Sequence, residues 1–254
     1  MRTFNSDFLW CALLLLSLIL LHISRPKTKV VNLNNRIFRD IVVLGLLDVV
    51  FDLVSNAFIT RCTDSFCIGA VITTNVFFLF QAILPFSLLC YIRVLIENRR
   101  LSARELLVMA APTLSLTFII LTNPFTDALF YFDARGYQHG PLYYAMYISA
   151  ALHLLTALIL TIACRRTLGK DRTLALLETF FLAVGGVLYQ ALHPQVLTTG
   201  FGMSLSILAM FTTINNPQAN TDSLTGLYDK QFLLRRVDEM IAQEKPFHVL
   251  TVYL

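Results

Sequence analysis

The sequence predicts an all-α integral membrane bundle of seven transmembrane helices with its N-terminus outside. The truncated first helix and strand of a cytoplasmic α/β domain are expected to follow it. Three observations carry this expectation. Hydrophobic residues make up 56% of the chain and charged residues only 14%, against roughly 25% charged in ordinary soluble domains. The charge-poor runs are long enough to cross a bilayer, and Lys and Arg collect at every second connection between them. The net charge of +4 does not point to nucleic acid, because the charges sit between apolar spans and not on one polar surface.

A membrane helix needs about 20 largely apolar residues. Runs at 8–24, 37–59, 68–94, 106–122, 142–164, 174–192 and 196–214 meet that requirement within a turn at each end. The first carries one upstream Arg and no small-residue cleavage pattern, which reads as a retained helix and not a signal peptide. The last two are parted only by His193-Pro194-Gln195. Proline cannot continue a helix without losing a hydrogen bond, so a tight hairpin through the membrane is expected there. Counted alternately, one side holds Arg25, Lys27, Lys29, Arg36 and Arg39, then Arg93, Arg99, Arg100 and Arg104, then Arg165, Arg166, Lys170 and Arg172. The opposite side holds Arg2, Arg61 and Arg135. The positive-inside rule therefore predicts an outside N-terminus and a cytoplasmic C-terminus.

Within the spans, Asp48, Asp52 and Asn56 stand at i, i+4 and i+8, one polar stripe on the second helix. An Asp at mid-span costs about 2.5 to 3.5 kcal/mol on insertion scales. The stripe should therefore face the bundle, with a partner or water, or be protonated. It reads either as a ligand, ion or proton site, or as an interhelical polar clamp. Candidate partners are Asn75, Gln81, His153, Tyr189, Gln190 and His193. His153, alone on an apolar face, also reads as a packing residue. The connection at 123–141 is aromatic for a loop, with Phe125, Phe130, Tyr131, Phe132 and Tyr137. That suits an interfacial belt or a lid over a pocket between helices. Three of five cysteines fall in or beside apolar segments, where a thiol behaves as a small hydrophobe; Cys62 and Cys67 share a loop and either pair or stay as thiols.

The C-terminal stretch changes character. Asp222-Ser223-Leu224-Thr225-Gly226-Leu227 is a turn-forming cluster. The helical spacing of Phe232, Leu233, Val237, Met240 and Ile241 predicts an amphipathic helix over 229–245, ended by Pro246 and followed by a strand over 247–254. The Asp-x-Leu-Thr-Gly-Leu run, carried by Asp222, Leu224, Thr225, Gly226 and Leu227, followed by a basic amphipathic helix and a strand, resembles the opening of a GGDEF domain, the diguanylate cyclase module. Asp229-Lys230 departs from the Asn-Arg usual in that family.

The resemblance implies a division into a seven-span membrane sensor domain at 1–214, a short linker at 215–221, and the N-terminal fragment of a GGDEF domain at 222–254. It further implies synthesis of cyclic di-GMP from two GTP with Mg²⁺ in the full-length parent, by a homodimer that meets through the output domain. The catalytic loop would lie after Leu254, so this chain alone is expected to be inactive and offers no catalytic or metal-binding residue. The implied setting is a bacterial-type inner membrane, with the lipid bilayer as partner, an unknown sensory ligand and no nucleic acid. Two other readings stay open. One is a non-catalytic receptor with a degenerate GGDEF domain; the other is a transporter or channel built on the Asp48 and Asp52 stripe. Asn216-Pro217 makes a continuous helix from the last span into the output domain unfavourable.

Overall fold

Each long apolar run becomes a helix, and the turn residues between runs end it. The computed structural model describes residues 5–24, 33–61, 68–97, 99–133, 136–193 and 195–214, together with 234, 237, 241 and 248. In chain order the elements are α1 (Asp7–Ile23), α2 (Leu33–Arg61), α3 (Ile68–Glu97), α4 (Ala103–Thr126), β1 (Phe130–Asp133), β2 (Gly136–His139), α5 (Ala145–Ala163), α6 (Arg165–Leu168), α7 (Lys170–Leu192) and α8 (Thr199–Thr213). Five of them, α2, α3, α4, α5 and α7, are long and apolar enough to cross a membrane. At 17 and 15 residues, α1 and α8 are shorter apolar helices. The chain is thus built as a multi-pass membrane protein.

Its surface agrees with that reading. Leu14, Leu107, Phe118 and Phe181 are 64 to 79% exposed, an outward apolar display that a monomer in water does not sustain. Inside, α1, α2, α3, α7 and α8 share one core through Leu16, Phe38, Val49, Tyr91, Leu176 and Ile207. A second, smaller cluster around Phe78, Ile120, Phe130 and Met146 joins α3, α4 and α5 to the β1–β2 hairpin. Helices α3 and α4 run through Pro85, Pro112 and Pro124, a pattern that membrane helices tolerate where neighbours pack against the weakened turn.

The turns explain where the helices stop. Ser102 opens α4 with a capping box: its Oγ accepts from the Glu105 N–H at 3.3 Å, and the Glu105 carboxylate accepts from the Ser102 N–H at 2.8 Å. The same carboxylate takes Arg99 at 2.7 Å and Arg93 at 3.3 Å, while Glu97 takes Arg99 at 2.6 Å. Two of the four arginines counted at this connection are therefore paired, and the turn from α3 to α4 is held by an ion network. Arg99 is pushed above its ordinary value chiefly by its hydrogen bond to Glu105. Gly169, at φ 80°, supplies the left-handed backbone that separates α6 from α7.

Helices α7 and α8 approach most closely at Gly186 and Gly202. A Cβ on Gly202 would lie 2.8 Å from the Leu182 carbonyl oxygen and 2.9 Å from the Gly186 Cα. Hydrogen bonds then cross the contact. Ser206 Oγ donates to the Thr179 carbonyl at 2.9 Å, and Thr198 Oγ1 donates to the Gly186 carbonyl at 3.0 Å. Gln190 Oε1 accepts from the N–H groups of Thr198 and Thr199, both at 2.9 Å, and so satisfies the first donors of α8. Close backbones joined by hydroxyl bonds are the packing mode expected in lipid, where apolar side chains gain little by leaving the acyl phase. Asn5 pairs in parallel with Val196, which puts the start of α1 beside the turn from α7 to α8.

Candidate functional site

Helix α2 carries the polar stripe because its residues at a four-residue interval are Asp48, Asp52 and Asn56. Two neighbouring contacts fix which way that stripe points. On one side of it, Phe51 stacks on Phe80 at 5.5 Å, and the Phe58 ring lies 2.8 Å from where a Gly69 Cβ would stand. Both are contacts with α3. On its other side, Gly45 and Val49 lie against Ile207 and Gly200 of α8. Asp48 and Asp52 fall between these faces, toward the bundle interior. Asp48 is 5% exposed and Asn56 9%, whereas Asp52 is half-buried.

The contacts from Phe51 to Phe80 and from Phe58 to Gly69 also set an antiparallel register of α2 on α3. It brings residues 73–77 level with residues 52–56, but Thr74 and Asn75 stand more than about 100° around α3 from the face that Gly69 and Phe80 turn to α2. Thr74 is 2% exposed, and its hydroxyl has no hydrogen-bond partner among the described residues. Its neighbour Thr73, like Thr156 and Thr161, donates back to the carbonyl four residues earlier. Asn75 Nδ2 donates to the Val71 carbonyl at 3.0 Å, which leaves its Oδ1 buried without a partner. Asp48 Oδ1 and Asn56 Oδ1 are in the same condition. Among the described residues, Asp48, Asn56, Thr74 and Asn75 thus each keep one buried oxygen without a partner, two on α2 and two on α3.

The β1–β2 hairpin packs on α3, α4 and α5, with Phe130 opposite His139 and Phe132 opposite Tyr137. Asn123 at the end of α4 anchors it. Its Oδ1 accepts from the Leu129 N–H at 2.6 Å, and its Nδ2 donates to the Phe130 carbonyl at 3.1 Å. Phe130 stacks on Tyr137 at 5.7 Å and meets Phe78 edge-on at 5.5 Å. The connection expected as an aromatic loop is therefore an ordered hairpin packed on α3. Tyr137 is pushed above the ordinary phenol value, by burial first, then by the Tyr147 phenol and the Asp52 carboxylate. Tyr143 is raised likewise, by burial and then by its hydrogen bond to Tyr147.

His153 is engaged elsewhere. It is 2% exposed on α5, with Nδ1 2.7 Å from the Ser149 carbonyl and Nε2 3.3 Å from Thr113 Oγ1 and 3.1 Å from the Met109 carbonyl. Whichever nitrogen carries the proton, Nδ1 reaches the Ser149 carbonyl of α5 and Nε2 reaches α4, so the ring ties α5 to α4. Phe86 of α3 meets the ring edge-on at 5.9 Å. Tyr189 and His193 lie against each other at 4.7 Å, both exposed, and Gln190 serves α8. The register sets Asn75 level with the turn from Asp52 to Asn56 and Gln81 level with Asp48, and no hydrogen bond among the described residues joins either to the stripe.

Thr74 and Tyr137 were not legible as site residues from the sequence. A lone helical threonine carries no signal until the opposing helix and its register are known. Tyr137 belonged to a loop whose path was undetermined. Asp222, Leu224, Thr225, Gly226, Leu227 and the Cys62–Cys67 pair lie outside the described residues; Leu234, Val237 and Ile241 are helical. Among the described residues no three His, Cys, Asp or Glu side chains gather in a way that could hold a metal. No family model, curated protein or solved structure matches the chain.

Proposed function

We propose that this chain is the membrane-sensing part of a signal-transduction protein whose cytoplasmic output domain is a diguanylate cyclase, converting two GTP to cyclic di-GMP with Mg²⁺. The observation that carries the reading is the Asp222-Ser223-Leu224-Thr225-Gly226-Leu227 run, placed after the last apolar helix and ahead of a helix that includes Leu234, Val237 and Ile241. In this reading α1, α2, α3, α4, α5, α7 and α8 are seven spans. The N-terminus is outside, where Asn5 meets Val196, and the basic turns from α3 to α4 and from α5 to α7 are inside. An odd number of spans then delivers the output domain to the compartment that holds GTP.

The linker at 215–221 is short and contains Asn216-Pro217, so the output domain hangs close under the bilayer. A change in how α8 packs on α7 would reorient two output domains directly, with no coiled coil between. The deciding experiment uses membranes from cells expressing the full-length gene product, supplied with GTP and Mg²⁺ and assayed for cyclic di-GMP. Product that disappears when the acids of the downstream GGDEF loop are changed supports the cyclase. Folded protein with an intact loop and no product overturns it and leaves a nucleotide-binding receptor. A Gly-Ser stretch inserted after Pro217 should uncouple any stimulus from the product formed.

A further inference from the structure

We propose that one end of the bundle, formed by the start of α2 and the turns from α3 to α4 and from α5 to α7, docks the headgroups of anionic phospholipids. The residues that engage them are Arg36, Arg100, Arg104, Arg165, Arg166 and Lys170. The surface rests on the membrane reading of the apolar helices. It stands whether or not residues 222–254 begin a cyclase, and whichever end of the bundle is inside.

Packing brings the three segments to one end. Phe38, in the second turn of α2, meets Tyr91 at 6.1 Å, and Leu95 and Leu168 share the core with both. Helix α6, which carries Arg165 and Arg166, touches α3. Charge then separates along the bundle. At this end stand ten described cations and five described acids, counting Glu178 two turns into α7. At the other end Arg61 is the one described cation, beside Asp7, Asp127 and Asp133.

The acids at the basic end do not neutralise it. Asp40 takes Arg39, while Glu97 and Glu105 take Arg93 and Arg99; Asp171 and Glu178 are the acids left over. The six proposed contacts are all exposed, and among the described residues none makes an ion pair or a side-chain hydrogen bond. Their backbone is fixed, by the Ser102 and Glu105 capping box at one turn and by the left-handed Gly169 at the other.

What lies beside the cations decides the kind of anion. Leu107 follows Arg104 by three residues, Ile162 precedes Arg165 by three and Leu174 follows Lys170 by four. These apolar side chains are 51 to 64% exposed. The cations therefore stand where exposed hydrocarbon gives way to charge, the depth of lipid phosphates. A phospholipid matches both parts: its phosphate accepts paired bonds from a guanidinium, and its acyl chains cover the exposed leucines and isoleucine. A soluble anion would leave that apolar surface bare. A zwitterionic headgroup would bring its own cation to a surface already in excess of positive charge, whereas basic clusters beside a span attract anionic lipid.

The test uses the whole chain in phosphatidylcholine vesicles with a trace of spin-labelled phosphatidylglycerol or spin-labelled phosphatidylcholine. Electron paramagnetic resonance counts the label held at the protein surface. Phosphatidylglycerol should be enriched there, and the enrichment should fall as sodium chloride screens the charges. Arg100→Gln, Arg104→Gln, Arg165→Gln and Arg166→Gln together should lower it several-fold, by up to about fivefold for any one cation. Lysine at the same four positions should keep most of it, and Arg61→Gln, at the other end, should leave it unchanged. Should the fourfold Gln variant lose its helical circular dichroism, the pair at Arg100 and Arg104 and the pair at Arg165 and Arg166, each measured alone, decide. Equal enrichment of the two lipids, or enrichment that survives in the folded Gln variants, overturns the proposal. Enrichment abolished by inorganic phosphate at constant ionic strength overturns it as well, and assigns the surface to a free anion.

Discussion

Gly185 and Gly202 offer opposite outcomes for the same substitution. A Cβ on Gly202 meets the backbone of α7 under 3 Å, whereas a Cβ on Gly185 meets nothing within 4 Å. Gly202→Ala should therefore force α7 and α8 apart and cost about 1–3 kcal/mol, the usual range for overpacking. Gly185→Ala should be neutral or stabilising by up to about 1 kcal/mol through helix propensity. Thermal unfolding of the two variants in detergent checks the contrast; equal midpoints would refute the close approach. His153 permits a second test. His153→Phe keeps a ring against Phe86 and removes both hydrogen-bonding nitrogens, which strands Thr113 Oγ1 in the interior. A loss of about 1–3 kcal/mol is expected for a buried hydroxyl left unsatisfied. His153→Phe combined with Thr113→Val should recover part of that loss, because both polar partners are then gone.

At the scale of elements, the β1–β2 hairpin is where sequence reading and structure part most. The aromatic content of 123–141 and its Asn-Pro and Gly-Pro brackets were plain in the chain. The strand pairing was not, because it depends on Asn123 binding Leu129 and Phe130 and on Phe78 rising from α3 to meet Phe130. The hairpin should respond to alkali. Tyr137 and Tyr143 hold their protons more tightly when folded than an ordinary phenol, whose value is 10.0. Unfolded chains lose those protons first, so stability is intact below about pH 10 and falls as pH rises above it. Phenolate absorbance against pH should show these two phenols ionising later than exposed tyrosines. Tyr137→Phe combined with Tyr143→Phe should remove their part of the alkaline loss. Titration of both with the exposed set would contradict the packing.

For the whole molecule, the pairing of Asn5 with Val196 puts two distant segments at one end of the bundle. Single cysteines at Ser6 and Gln195, in a chain whose native cysteines are replaced, should react together with an impermeant maleimide added outside intact cells. Cysteines at Arg100 and Gly169 should react only after the membrane is opened. Labelling of Ser6 and Gln195 from opposite sides would break the bundle arrangement itself. Labelling of all four sites in the reverse sense would invert the proposed orientation and keep the fold.

Much of this architecture was legible in the chain, for a physical reason. Hydrocarbon forces each spanning segment to satisfy its own backbone, so apolar runs declare helices one segment at a time. The intervals of Asp48, Asp52 and Asn56, and the basic clusters between runs, are likewise local properties. Register and partnership are not local. Tertiary packing alone decided that Phe51 stacks on Phe80, that His153 binds across to α4, that Gly186 meets Gly202, and that an aromatic connection folds into a hairpin over α3. Each depends on how two segments far apart in sequence slide and rotate against one another, and many different arrangements would satisfy the same apolar pattern.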